Sequence, residues 1–188
     1  VNNVSSNAKL PDFFAVSNND NITEMEVPNL YQLSSEFLEN QSIQIGNIVH
    51  DYLSHIKYDD TKARQIAMEN TLAKYGSLFH KDRINEIVIK IDEFIDDHLT
   101  YFAGDDWDKV FNEFTVFDDQ GKESRIDRLM INTLKKEILI IDYKTGLHYE
   151  EEQLDRYKEI LDKFPIVIKE NYDIKVKYIE INISKTSR

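Results

Sequence analysis

The segment that most restricts the fold is Glu137-Ile138-Leu139-Ile140-Ile141-Asp142-Tyr143-Lys144. Four large aliphatic residues in a row, with β-branched types dominating, read as a buried β-strand. A strand buried on both faces needs a layer above and a layer below it, and helices are the usual cover. The run then ends in charge. Strand side chains alternate, so Asp142 and Lys144 share one face. They sit where an apolar strand reaches the edge of its sheet, beside a buried core.

A second strand carries its own acid. In Ser124-Arg125-Ile126-Asp127-Arg128-Leu129-Met130-Ile131, Asp127 interrupts a stretch otherwise suited to burial. A carboxylate there is costly unless it meets a cation, a metal or a donor. Two readings stand. Arg125 or Arg128 forms a salt bridge with it, or Asp127 pairs with Asp142 across adjacent strands. The second makes a hard oxygen site suited to Mg²⁺ or Mn²⁺. With Lys144 beside it, that site has the minimum equipment for hydrolysing a phosphodiester.

The rest of the chain supplies the expected cover. Residues 1–33, rich in Asn and Ser and holding Pro11 and Pro28, read as a linker or peripheral arm with a short apolar anchor at Leu10–Val16. Residues 34–188 read as the folded domain. A helix is expected over 34–57, capped at Ser34 or Ser35, with Ile45, Ile48, Val49, Tyr52, Leu53 and Ile56 at helical spacing. Asp59-Asp60-Thr61 caps a second helix that Gly76 ends near Tyr75. A third spans about Lys81–Tyr101, with a stripe from Ile84 to Leu99. Then come a strand at Phe111–Phe117, a hairpin turn at Asp118-Asp119-Gln120-Gly121, and strands at Arg125–Asn132 and Glu137–Lys144. A helix over Glu150–Phe164 is closed by Pro165. Ile166–Glu170 extends it or starts another, and a β-branched strand covers Ile174–Ile183. A helix between the third strand and the last permits a parallel crossover. The expectation is an α/β fold: a mixed central sheet flanked by helices, with a helical N-terminal part.

Composition sets limits on function. The net charge of −12 opposes the basic footprint usual for a nucleic-acid binder. Divalent cations in an acidic cleft, or a partner domain that supplies the affinity, are two ways around it. The sequence has no cysteine, which excludes disulfides, thiolate zinc sites and an iron–sulfur cluster, and fits a cytoplasmic protein. No apolar run approaches the roughly 18 residues that cross a bilayer, so no membrane partner is expected. The first residue is Val, as in a fragment or a processed chain.

Two helix pairs add candidates. Gly46 and His50 are four apart and share a face, where glycine permits a close approach. Gln153 and Tyr157 are also four apart, on the helix after Lys144, able to hydrogen-bond a phosphate or stack on a base. Each also fits an ordinary amphipathic helix. His55, His80, His98 and His148 show no comparable spacing.

Taken in order, Gly46-x-x-x-His50, Asp127, Asp142-Tyr143-Lys144-Thr145-Gly146 and Gln153-x-x-x-Tyr157 resemble the RecB-type branch of the PD-(D/E)XK nucleases. The closest resemblance is to the C-terminal nuclease domain of UvrD/RecB/AddA-like helicase–nucleases, over about Ile43–Ile183. The resemblance implies that His50, Asp127 and Asp142 ligate Mg²⁺ or Mn²⁺, with the backbone carbonyl of Tyr143. It implies that Lys144 orients water or stabilises the transition state, and that Gln153 and Tyr157 help hold the DNA strand. Arg125, beside the acid of the motif, goes with the substrate-binding group. Glu113 matches an acid often found on the first strand. The family often has Gly-Arg-Pro-Asp or Gly-Arg-Ile-Asp where this chain has Ser124-Arg125-Ile126-Asp127, so the acid is kept. Iron–sulfur members carry cysteines that this chain lacks, which places it with the cluster-free type.

The implied activity is that of a metal-dependent DNA exonuclease domain in a helicase–nuclease for double-strand break repair and DNA end processing. Its DNA would be single-stranded or arrive as unwound ends. No Gly-x-x-x-x-Gly-Lys-Ser/Thr loop occurs here, so the implied motor lies elsewhere in the parent chain or in another subunit. The alternatives are an inactive nuclease-fold scaffold for protein contacts, and a stand-alone structure-specific endonuclease.

Overall fold

The computed structural model describes residues 30–146 and 151–183, with side-chain surroundings from 39 onward and excepting 151. The expected arm over 1–29, its anchor at Leu10–Val16, and His148 and Glu150 lie outside these residues. The described order is α1 (Leu30–Ser54), α2 (Thr61–Tyr75), α3 (Lys81–Asp97), α4 (Leu99–Phe102), β1 (Lys109–Phe117), β2 (Glu123–Asn132), β3 (Glu137–Lys144), α5 (Glu151–Asp162), α6 (Pro165–Glu170) and β4 (Asp173–Glu180). The four strands form one sheet in the order β1-β2-β3-β4. β1–β2 and β2–β3 are antiparallel, and β3–β4 is parallel across the α5–α6 crossover. The mixed sheet expected from the sequence is present.

Alternation along β3 divides the interior. Leu139, Ile141 and Tyr143 face α1–α4, with Ile48, Tyr52, Ile91 and Phe102. Ile138 and Ile140 face α5 and α6, with Leu154, Tyr157, Ile160 and Val167. Both faces of β3 are therefore dry, as its run of aliphatics requires. No helix among the described residues is long and apolar enough to cross a membrane.

Local signals account for most boundaries. Asp60 caps α2 by accepting from Ala63 N at 2.7 Å. Gly76 ends α2 as expected but stays right-handed (φ −63°). Its lack of a Cβ matters for another reason, since a Cβ there would lie 2.5 Å from Leu72 O. In the β1–β2 turn, Asp118 Oδ1 accepts from Gln120 N and Lys122 N, and Gly121 takes φ +77°.

Three expectations need correction, and the alternatives left open after Pro165 are decided. The first helix begins at Leu30, so residues 30–33 of the expected arm are helical and Ser34 and Ser35 fall inside the helix and not at its start. The third helix is broken at His98, whose backbone (φ −124°, ψ 31°) leaves the helical region. The break turns Phe102 fully inward and leaves Leu99 48% exposed, outside the core stripe. Phe164 is extended because it precedes Pro165, so α6 is a separate helix with proline in its first turn. β4 ends at Glu180 and not at Ile183, because its partner β3 ends at Lys144; one last bond runs from Ile181 N to Lys144 O.

Candidate functional site

The site lies where the middle of the sheet forks. The β2–β3 ladder ends at Arg128↔Ile141. Beyond that point β2 stays paired with β1 as far as Glu123, while β3 stays paired with β4 to Lys144. The two inner strands thus leave each other on the side that carries Asp127 and Asp142. Two further breaks shape the fork. The β1–β2 ladder pairs Asn112↔Arg128 and Phe114↔Ile126 but skips Glu113 and Asp127. Glu113 has φ +53°, a left-handed backbone that costs a non-glycine residue about 1 kcal/mol or more.

Asp127, 8% exposed, occupies the place where ladder bonds are missing. Its Oδ2 accepts from Tyr143 N at 2.8 Å, which ties the forked strands together through a side chain. Its Oδ1 lies 3.3 Å from His50 Nδ1. The salt-bridge reading of Asp127 is not realised among the described residues. Arg125 Nε pairs with Glu113 Oε2 at 2.5 Å, and Arg128 turns to the α1–α4 side.

His50 reaches the fork from α1. Gly46, one turn earlier, allows this approach, since a Cβ there would come 3.0 Å from Thr145 Oγ1 just beyond β3. Donor atoms of His50, Glu113 and Asp127 all lie within 4.8 Å of one another. The sequence reading placed Asp142 in that group and left Glu113 uncertain; the structure gathers Glu113 instead. Asp142, 2% exposed, stands next to the cluster. Lys144 Nζ is 2.7 Å from Asp142 Oδ2. That close approach is ionic, for the oxygen accepts no well-aligned hydrogen bond and is buried.

Lys144 is itself held. Its Nζ donates to Gln153 Oε1 at 3.1 Å. Gln153 Nε2 donates to Tyr157 Oη at 2.6 Å, and Tyr157 donates to Arg125 O at 2.7 Å. The chain Lys144–Gln153–Tyr157 therefore runs from β3 across α5 to β2 and spans the fork. Tyr157 is a buried anchor here, and burial pushes its hydroxyl up to about 12. The contribution of Tyr143 is its amide, while its ring packs edge-on to Phe94 and His50 in the core.

The charges in the fork are coupled. Burial raises the Asp142 carboxyl above its ordinary range, the nearby Asp127 adds to this, and Lys144 opposes it. Glu113 is raised by burial, against the pull of Arg125. Burial alone would lower His50, but its bond to Asp127 and the fields of Asp127, Glu113 and Asp142 raise it overall. Only the rise at His50 is set by neighbouring charge; at Asp142 and Glu113 burial is the main cause and the field of Asp127 adds to it. An imidazole nitrogen and two carboxylates within 4.8 Å of one another, with the buried Asp142 carboxylate beside them, form a donor set that a divalent cation fits.

The surrounding cleft holds about 890 Å³. Lys74, Lys122, Arg125, Lys144 and Arg156 line it together with Asp51, Glu113, Glu123, Asp127 and Asp142. Locally, then, the acidic character of the whole chain is offset. Asp51 is bound by Lys74 and Tyr75 from α2. These α2 residues, with Lys122 and Arg156, carried no sequence signal, because only the tertiary fold brings them to the cleft. No protein-family model matches this sequence, and no curated protein matches it.

Proposed function

We propose that this chain is a metal-dependent nuclease domain that hydrolyses phosphodiester bonds in DNA. The observation that carries this reading is the pairing of a cation-compatible cluster, His50, Glu113 and Asp127, with a buried Asp142–Lys144 pair on the adjoining strand. Resemblance of the motif order to RecB/AddA-type nuclease domains points the same way and supplies the finer expectation. On it, the domain is an exonuclease served by a helicase motor, acting on single-stranded or unwound DNA ends in break repair. The cations that line the cleft, Lys74, Lys122, Arg125, Lys144 and Arg156, soften the objection raised by net charge, since they balance its carboxylates where a phosphate backbone would bind.

His50, Glu113 and Asp127, with Asp142 beside them, would hold Mg²⁺ or Mn²⁺. When bound, such an ion lowers the pKa of water and neutralises charge on the scissile phosphate. The chain's own groups do the rest. Tyr143 N fixes the Asp127 carboxylate in place. Lys144 is aimed into the cleft by Asp142 and Gln153, where its charge stabilises the extra negative charge of the transition state. Gln153, once released by Lys144, can donate or accept at the DNA strand.

The test is degradation of end-labelled linear single-stranded DNA by the full chain, with Mn²⁺ or Mg²⁺ and with EDTA. Loss that requires the metal and disappears in Lys144→Ala supports the reading, and the ladder of products gives polarity. Cleavage at full rate by Asp127→Ala or Lys144→Ala refutes it.

A further inference from the structure

Two neighbours of the cluster do not enter the cleft. Asn112 precedes Glu113, Arg128 follows Asp127, and the two are cross-strand partners. Both reach the end of α1. Asn112 Nδ2 donates to Leu53 O at 3.2 Å, Ser54 O at 2.9 Å and Ile56 O at 3.1 Å. Arg128 Nη1 donates to Ile56 O at 2.7 Å and Asn112 Oδ1 at 3.0 Å. Its Nη2 donates to Lys57 O at 2.6 Å and Tyr101 O at 2.7 Å. The guanidinium lies over the Phe102 ring, 4.5 Å from its centroid.

A helix C-terminus leaves carbonyls unpaired and carries partial negative charge. Here the Asn112 amide takes the carbonyls of Leu53 and Ser54 at the end of α1, and the Arg128 cation takes those of Ile56 and Lys57 just beyond it and of Tyr101 in α4. The arrangement is expensive. Arg128 is fully buried and pairs with no carboxylate among the described residues, and burial pulls its pKa down. An apolar side chain of similar volume often serves stability as well or better than such a group. What the guanidinium adds is direction, through donors fixed in one plane.

We propose that Arg128, with Asn112, is a positioning clasp that locks the last turn of α1 onto β2 and so sets His50 against Asp127 and Glu113. Arg128 acts through His50 and touches neither substrate nor cation. The inference rests on reading His50, Glu113 and Asp127 as a cation site. His50 lies about one turn before the Leu53 and Ser54 carbonyls that Asn112 grips, and Arg128 holds both Asn112 and the Ile56–Lys57 segment that continues α1, so the placement of the helix end is passed to His50. A slip of α1 by one residue would shift it about 1.5 Å and rotate it about 100°. Metal sites tolerate distance errors of only about 0.2 Å.

The test is Mn²⁺ binding to the full chain by titration calorimetry, with folding followed by circular dichroism. Arg128→Met is compared in the parent background and on top of His50→Ala. The expected result is a loss in Mn²⁺ affinity of about tenfold or more in the parent and little further loss once His50 is gone. A folded Arg128→Met with unchanged affinity overturns the clasp, as does an equal loss in both backgrounds. If Arg128→Met does not fold, Asn112→Ala is read by the same cycle, since it removes four of the bonds and leaves the cation. The two readings fail separately. A parent chain that binds Mn²⁺ through His50 yet leaves DNA intact refutes the nuclease and keeps the clasp; unchanged affinity in folded Arg128→Met does the reverse.

Discussion

Replacing Lys144 with Met should destabilise the metal-free chain in a pH-dependent way. Asp142 is almost completely buried, and Lys144 is the cation that holds it ionised at 2.7 Å. Removing one member of a buried ion pair costs about 3 kcal/mol or more while the other stays charged. Asp142 has an escape, because it can take up a proton. Its folded carboxyl is already raised by burial and Asp127, and without Lys144 it rises further. Each unit of that rise is worth about 1.4 kcal/mol at any pH above it. A folded pKa above the unfolded one means stability is present at low pH and lost as pH rises through the folded value. The cost of Lys144→Met should therefore be about 1 kcal/mol at pH 5 and about 3 kcal/mol at pH 8. With a urea slope of about 2 kcal/mol per molar, the midpoint should fall by about 0.5 M and 1.5 M respectively. Urea unfolding at the two pH values in EDTA measures this, and in an Asp142→Asn background the cost of Lys144→Met should be the same at both pH values. An equal midpoint shift at pH 5 and pH 8 would refute the claim that Lys144 exists to keep Asp142 charged.

Three further outcomes follow from the site. Mn²⁺ affinity should rise with pH, because His50, Glu113 and Asp142 all hold protons more tightly than usual in the fold and a bound cation displaces them; calorimetry in buffers of different ionisation enthalpy should detect proton release above pH 6, and a flat profile would contradict it. Gly46→Ala should cost about 1 kcal/mol by pushing α1 off Thr145, and Thr145→Ala in the same chain should recover most of it; thermal melts of the single and double variants decide. Tyr157→Phe removes the bond to the Arg125 carbonyl and the one from Gln153 Nε2, so it should lower stability by about 1–2 kcal/mol. Cleavage should fall with it, and wild-type melting in this variant would show that the chain across the fork is not structural.

What could be read from the sequence follows from how local each signal is. β3 was legible to the residue, because an aliphatic run bounded by Glu137 and Lys144 has one interpretation. The ends of α2 were legible because Asp60 and Gly76 act on their own neighbours. The start of α1 was not, since Ser34-Ser35 imitates a cap although Leu30, Leu33 and Phe37 already fall at helical spacing. The candidate residues His50, Asp127, Asp142, Lys144, Gln153 and Tyr157 do line one cleft. Their division of labour was hidden. Glu113 joins His50 and Asp127 only because its backbone turns left-handed where a ladder skips it. Asn112 and Arg128 are strand residues whose partners lie in α1 and the turn after it, a relation that no spacing along the chain encodes.

The alternation of Asp127 and Arg128 also bears on how the sheet finds its pairing. In the observed register the carboxylate enters the fork and the guanidinium enters the α1–α4 side. A one-residue slip of β2 against its neighbours would exchange them. In one direction the acid would take the guanidinium's place and face backbone carbonyls that need donors; in the other the guanidinium would leave those carbonyls for the fork. Either slip strips the carbonyls of Ile56, Lys57 and Tyr101 of their donor, so misregistered sheets are penalised. The same two residues that border the cleft thus act as a proofreading device during folding, narrowing the competing pairings before any cation is bound.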